Sequence, residues 1–284
     1  MKRLRLRHIV CPMDLTALSM NALSWANGLA TARSAELRAL HVDVAEGVVV
    51  SDGLGFHQHD DMMTKLRERL SATDAENRRV GAAVRHGDPG TEILRYARAL
   101  PADLIVMGAA GADRPTRPVG SVTATVVARS DCPVLIVPSG RRVDQSRGAV
   151  FGKIVCAVDL TPSSIPVIRQ AISLGWETHG HVVCVCVMTE PRPPVSDIEG
   201  RLLAAIPSGA NEWCAIEIVV KQGAPATEIV RVAEISHADV LVIGPPRQWA
   251  STTQAVLAKS LCPALVAHDA RPLPYPQTQA SIAN

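Results

Sequence analysis

The chain contains no run approaching the roughly 18 consecutive apolar residues that a membrane span requires, and no apolar segment of a signal peptide follows its basic start. A cytoplasmic location with no membrane partner is the expectation. Charge gives little direction either, because the formal net charge is only +2. The opening Lys2-Arg3-Leu4-Arg5-Leu6-Arg7 is basic, but it runs straight into a β-rich stretch and no comparable tract follows. It therefore reads as the flank of a strand, and no nucleic-acid partner is expected. Seven cysteines are present without one CxxC pair, so the usual metal and redox spacings are missing. Cys11, Cys132, Cys156, Cys184, Cys186 and Cys262 fall in or beside β-like runs and read as buried, reduced thiols that pack as small hydrophobes. No serine, histidine and acid follow a recognisable hydrolase order, and the Ser24 and Ser130 neighbourhoods lack a nucleophile elbow. No catalytic residue is assigned.

What the chain does contain is a repeat. DLIVMG at 103–108 returns as DVLVIG at 239–244, GDPGTEI at 87–93 as GAPATEI at 223–229, and IVCPMDLT at 9–16 as IVCAVDLT at 154–161. Gly87 and Gly108 each lie 136 residues before their counterparts Gly223 and Gly244, whereas Cys132 and Cys262 are only 130 apart. Six residues are thus missing from the second copy, in the loop after Gly244. A length of 284 residues accommodates two units, and 47% hydrophobic with 20% charged residues is the balance of an ordinary globular protein.

Short apolar runs alternate with helical patterns in each copy. Strands are expected at 8–11, 36–42, 82–85, 103–107 and 133–137, with helices near 19–35, 60–79, 91–100 and 122–130; Pro12 should end the first strand. In the second copy strands are expected at 153–158, 181–187, 216–220, 239–243 and 263–267, with helices near 163–175, 197–206 and 225–236. The alternation implies an α/β fold of two similar Rossmann-like domains, each an open, mainly parallel sheet with helices on both faces. The expected boundaries are a first domain at 1–139, a polar linker at 140–152, a second domain at 153–269 and a tail at 270–284.

In such a sheet, ligands bind beyond the carboxyl ends of the strands, where strand order reverses. Asp14, the loop after Val42 and the loop after Met107 fall at such ends. Gly108-Ala109-Ala110-Gly111 leaves its strand with two glycines, and Gly120-Ser121 opens the helix that starts at Val122. Glycine allows close backbone approach, while free amides at a helix start and the Ser121 hydroxyl can receive phosphate oxygens. A structural turn is the competing reading, and Asp14 could equally cap its own loop. In the second copy Gly244 leads into Pro245-Pro246-Arg247-Gln248-Trp249, without a second glycine or a Gly-Ser pair. Proline donates no amide, so no phosphate cradle is expected there, and Trp249 reads as a cover over the vacated site. His57-Gln58-His59-Asp60-Asp61 carries metal-capable side chains, but they are too local to define a closed site without His41 or His86. The stretch reads as a solvated loop entering a helix, and no metal ligand is assigned.

In their order, IVCPMDLT, LHV at 40–42, HGDPGTEIL, DLIVMGAAG and GSVTATVVARSDCPVLIV resemble the universal stress protein family, repeated in tandem over about 8–138 and 153–268. The resemblance implies a Rossmann-like fold, pairing as a homo-oligomer or between the two domains of one chain, and membership of either an ATP-binding or a non-binding class. It implies ATP with Mg2+ as the cofactor, with Asp14 at the ribose and adenine edge and Val42 offering backbone to the base. Gly108, Gly111, Gly120, Ser121 and Val122 would surround the phosphates. The family's ATP loop places nine residues between its second and third glycines. This chain has eight between Gly111 and Gly120 and includes Pro115 and Pro118. The function implied is a nucleotide-dependent stress-response regulator rather than a fast enzyme, with slow ATP hydrolysis left open; the alternative is a scaffold or chaperone-like module that binds no nucleotide.

Overall fold

The computed structural model describes residues 6–44, 54–73, 79–109, 119–139, 150–190, 194–246 and 252–268. The first half runs β1 (His8–Met13), α1 (Ala17–Arg33), β2 (Glu36–Asp43), α2 (Leu54–Thr73), β3 (Val80–His86), α3 (Pro89–Ala99), β4 (Leu104–Gly108), α4 (Ser121–Arg129) and β5 (Val134–Val137). The second runs β6 (Lys153–Val158), α5 (Ser164–Thr178), β7 (His181–Met188), α6 (Val195–Ala205), a 3-10 turn (Ala210–Glu212), β8 (Ala215–Gln222), α7 (Pro225–Ile235), β9 (Val240–Ile243), α8 (Thr252–Lys259) and β10 (Ala264–Val266).

The two halves share one ten-stranded sheet, in the order β3-β2-β1-β4-β5-β10-β9-β6-β7-β8. Pairing is parallel within each half, and β5 meets β10 antiparallel with Leu135 opposite Leu265. The predicted fold class holds, and the structure adds that the two sheets merge edge to edge. The merger removes two sheet edges that would otherwise expose unpaired amides and carbonyls. It also lets the cores join. One buried cluster lies under α1, α2, α5 and α6, and contains Leu23, Leu29, Leu135, Ile168, Ile172 and Leu265; a second on the opposite face joins Ile105 and Val126 to Leu241 and Val256. Runs such as LIVM in β4 and VLVI in β9 are apolar throughout because both faces of these strands are covered.

Local signals explain most element ends. Thr16 caps α1 by accepting from the Ser19 amide, and Asp88 caps α3 by accepting from the Thr91 amide at 2.8 Å, with Pro89 in the first turn. Asp103 receives the Arg7 and His8 amides, and its counterpart Asp239 receives those of Gly152 and Lys153, so one carboxylate fixes the start of the first strand in each half. Phe151, from the stretch expected to be linker, is buried and stacks on Trp25 at 6.1 Å. Residues 140–149 of that stretch and the tail from 269 lie outside the described residues.

Three expectations about elements need correction. Pro12 does not end β1, which continues to Met13. The Arg7 carbonyl accepts from Glu36 on the β2 side and the His8 carbonyl from Asp103 on the β4 side, so alternation turns residue 12 toward β4. Pairing with β4 stops at Val10, one pair short of the second half, where Ala157 stands in place of Pro12 and pairing reaches Cys156–Val242; the missing proline amide removes that rung and leaves the ladder with β2 intact. Helix α2 begins at Leu54 rather than near 60, which places His57, His59 and Asp60 on a helix backbone and not in a loop; their side chains lie outside the described residues. Helix α8 was not expected, because the loop before it lacks the glycines that introduce α4.

Candidate functional site

In both halves the sheet opens at one point. β1 pairs with β4 only at Ile9–Leu104 and Val10–Ile105, while β1 and β2 stay paired to Met13–His41. The carboxyl ends of β1 and β4 therefore separate where strand order reverses, which is where α/β sheets form ligand crevices. β6 and β9 likewise pair only from Ile154–Val240 to Cys156–Val242.

The structure brings most of the predicted residues of the first half to this end. Asp14 follows β1, Val42 lies near the end of β2, and Gly108 ends β4. Gly120 stands at the N-cap of α4 with extended backbone (φ −69°, ψ 156°) and makes no side-chain cap, followed by exposed Ser121 and half-buried Val122. Two contacts lash α4 to β4. The Gly120 amide donates to the Ala109 carbonyl at 2.9 Å, and the Thr123 hydroxyl to the Gly108 carbonyl at 3.0 Å. The first-turn amides of α4 thus face the crevice end of the sheet, a suitable setting for an anion. Gly111, Pro115 and Pro118 lie outside the described residues, as do Arg247, Gln248 and Trp249 of the second half.

Asp14 is held by its own loop. Its Oδ1 accepts from the Thr16 amide at 3.1 Å and the Thr16 hydroxyl at 2.6 Å. Partial loss of hydration pushes its pKa up, but hydrogen bonds from Thr16 and Ser19 outweigh this and leave the carboxyl below its ordinary value. It is anionic at neutral pH. Asp14 thus caps its own loop, and it leaves a fixed negative charge at the carboxyl end of β1. Leu15, the next residue, has φ +62°, a conformation that costs a branched residue roughly 1–2 kcal/mol. Nearby, His41 Nδ1 donates to the Met13 carbonyl at 2.8 Å and His86 pairs with Asp43 at 3.5 Å, so neither converges on a metal site. Among the described residues no group of three or more His, Cys, Asp or Glu side chains could hold a metal ion.

The second half repeats this geometry more fully than its sequence suggested. Asp159 Oδ1 accepts from the Thr161 amide and hydroxyl and from the Ser164 hydroxyl at 2.8 Å, and Leu160 has φ +59°. Thr253 of α8 donates to the Gly244 carbonyl at 3.1 Å, as Thr123 does to Gly108. Between these groups lies a cavity of about 290 Å³, lined among the described residues by Asp159, Ser164, Val187, Ile229, Gly244 and Thr253, with others. Asp159, Val187 and Gly244 are the repeat counterparts of Asp14, Val42 and Gly108. Sequence reasoning missed Ser164 and Thr253. Applying to Ser19 the offset of 145 that links Asp14 to Asp159, and to Thr123 the offset of 130, would have found them.

A doubly wound sheet duplicated in one chain, with a crevice at each switch point, defines a tandem Rossmann-like protein. The chain belongs to the universal stress protein family, whose pattern matches residues 5–138 and again 151–268. Its fold is similar to that of a universal stress protein from Archaeoglobus fulgidus DSM 4304, at 18% identity and TM-score 0.70 over 94% of this chain and 97% of that one. A functionally unknown protein from Pseudomonas aeruginosa PAO1 aligns at 20% identity and TM-score 0.62 over 93% of each chain. A universal stress protein of Pseudomonas aeruginosa UCBPP-PA14 gives the same identity and TM-score over 93% of this chain and 94% of that one. Among the described residues no helix is long and apolar enough to cross a membrane.

Proposed function

We propose that the chain is a nucleotide-responsive regulator that binds an adenine nucleotide, ATP with Mg2+, in its first half and does not turn it over quickly. The observation that supports this most is the lashing of α4 to β4: Gly120–Ala109 and Thr123–Gly108 hold the start of α4, with Ser121 and Val122, against the carboxyl end of β4, and Asp14 follows the carboxyl end of the neighbouring β1. Amides at a helix start suit phosphate oxygens, and a nearby carboxylate suits ribose hydroxyls. Regulation would follow from unequal nucleotide affinity for two conformations or complexes. Among the described residues, the one carboxylate at the end of β1, Asp14, is engaged by the Thr16 amide and hydroxyl, which does not favour a general base for rapid hydrolysis.

Isothermal titration of nucleotide-stripped protein with ATP and magnesium tests the reading. Binding of one ATP that is lost in Gly120→Asp, where a carboxylate would stand at the phosphate position, supports it. Absence of binding at millimolar ATP by folded protein would sink it and leave the interaction scaffold as the better account.

A further inference from the structure

From the outer edge of β8 we infer a surface that binds a second copy of this chain, strand to strand and antiparallel, about a two-fold axis at Val219. β8 (AIEIVVKQ) closes the ten-stranded sheet on one side, as β3 does on the other, whereas β5 and β10 are used in joining the halves. The Ala215 and Gly223 amides donate toward β7, to the Gly180 and Met188 carbonyls. Alternation then turns the backbone groups of Glu217, Val219 and Lys221 to β7 and leaves the amides and carbonyls of Ile216, Ile218, Val220 and Gln222 on the outer side. No described strand pairs with that side. An open edge of this length is a template for another strand.

Charge selects the occupant. Glu217 and Lys221 are both exposed and flank Val219 symmetrically on one face of the sheet, where Glu217 also meets His181 of β7 at 3.3 Å. Pairing about Val219 sets Ile218 opposite the partner's Val220 and Ile216 opposite the partner's Gln222, so the outward amides and carbonyls meet their complements. The same register sets Glu217 opposite the partner's Lys221 at both ends. These are the non-hydrogen-bonded pairs, in which side chains stand closest, and opposite charges placed there stabilise while like charges destabilise. Other registers that keep the outward groups facing set Glu217 against itself, Lys221 against itself, or both against uncharged residues. β3 (VGAAVRH) carries no acid, so self-pairing gives it no ion pair. Helix α6, which packs on β8, adds an apolar contact beside the edge. It buries Ile198 and Leu202, and on one flank Arg201 reaches inward to the Leu160 carbonyl at 3.2 Å, after β6. The opposite flank is therefore turned toward the outer edge, and it exposes Val195 (46%) and Leu203 (61%), with Glu199 between them at the surface. The two-fold axis brings both copies of this flank together and takes apolar side chains out of water.

Sedimentation of the full-length protein over a range of concentrations tests this in the native chain, in Glu217→Lys, in Lys221→Glu and in the double reversal. The expected result is a native dimer that either single reversal weakens at least about 10-fold, because like charges then stand opposite at both pairs, and that the double reversal restores. Amide exchange at Ile218 and Val220 should slow as the dimer forms, while Val219, already bonded toward β7, should not change. A protein that stays monomeric up to about 1 mM would overturn the inference. So would a dimer that the single reversals leave intact, a double reversal as weak as the singles, or open-ended growth beyond two copies, the mark of β8 pairing with β3. Restoration in the double reversal separates loss of the contact from loss of folding.

Discussion

His268 should make the protein measurably acid-sensitive. It follows β10, whose antiparallel run along β5 carries the chain toward Asp131 and Cys132 at the seam between the halves. The residue is 8% exposed, and among the described residues its Nε2 has no hydrogen-bond partner. Burial lowers its pKa from 6.5 to about 4, against a smaller opposing pull from Asp131. The sign follows from proton binding: between these two values the unfolded chain holds a proton on His268 that the folded chain refuses. Stability from this residue is therefore intact above pH 6.5, falls as pH drops and levels off below about 4. Keeping the ring neutral from pH 6.5 down to about 4 corresponds to about 3 kcal/mol, a large fraction of the 5–15 kcal/mol that holds a typical domain. Urea unfolding of the native protein and His268→Leu across this window provides the assay. The native protein should lose about 3 kcal/mol more than the variant on acidification, while the two should differ little at neutral pH. Equal pH slopes would refute the reasoning, because the carboxylates common to both proteins would then account for the whole dependence.

Other consequences can be tested directly. Gly175 of α5 is packed so that an added Cβ would meet Val182 Cγ2 at 2.8 Å and Cys214 Cβ at 3.2 Å; Gly175→Ala should lower stability by about 1–3 kcal/mol from overpacking, outweighing a helix-propensity gain of about 1 kcal/mol, and a higher denaturation midpoint would contradict this. All seven cysteines are buried, with burial pushing Cys11 up and Cys214 up to about 11. A thiol reagent should therefore label the native protein far more slowly than the denatured one, and fast native labelling of any of them would refute that packing. Leu135 is 1% exposed and faces Leu265 across the seam, so Leu135→Ala should cost about 2–5 kcal/mol and bring forward hydrogen exchange in β10 as well as β5. Exchange confined to the first half would show that the halves are energetically separate.

Much of the site could be read from residue order because its determinants are local. Gly120-Ser121 before a helix, Asp14 after an apolar strand and Thr16 at an N-cap carry their geometry in neighbouring residues. Less of the second half could be read, since the proline pair and missing glycines suggested loss of the phosphate cradle and said nothing of the rest of the crevice. The contacts that keep its crevice, Thr253 to Gly244 and Ser164 to Asp159, join residues whose roles are visible only after two different offsets are applied. The end of β1 was misjudged for a related reason: whether a proline is tolerated in a strand depends on which side has a partner, and that belongs to the neighbouring strands.

The sequence alone determined the duplication, the alternation of strands and helices, and the parallel arrangement within each half. Apolar periodicity, capping residues and turn residues act over a few positions, and short crossovers leave parallel strands few alternatives. The tertiary structure decided that β5 and β10 join the copies into one sheet, that His268 is buried at that seam, and that the shortened half retains a cavity. Each depends on contacts between segments more than a hundred residues apart or on space left by several side chains together, and neither quantity is encoded in any single stretch of chain.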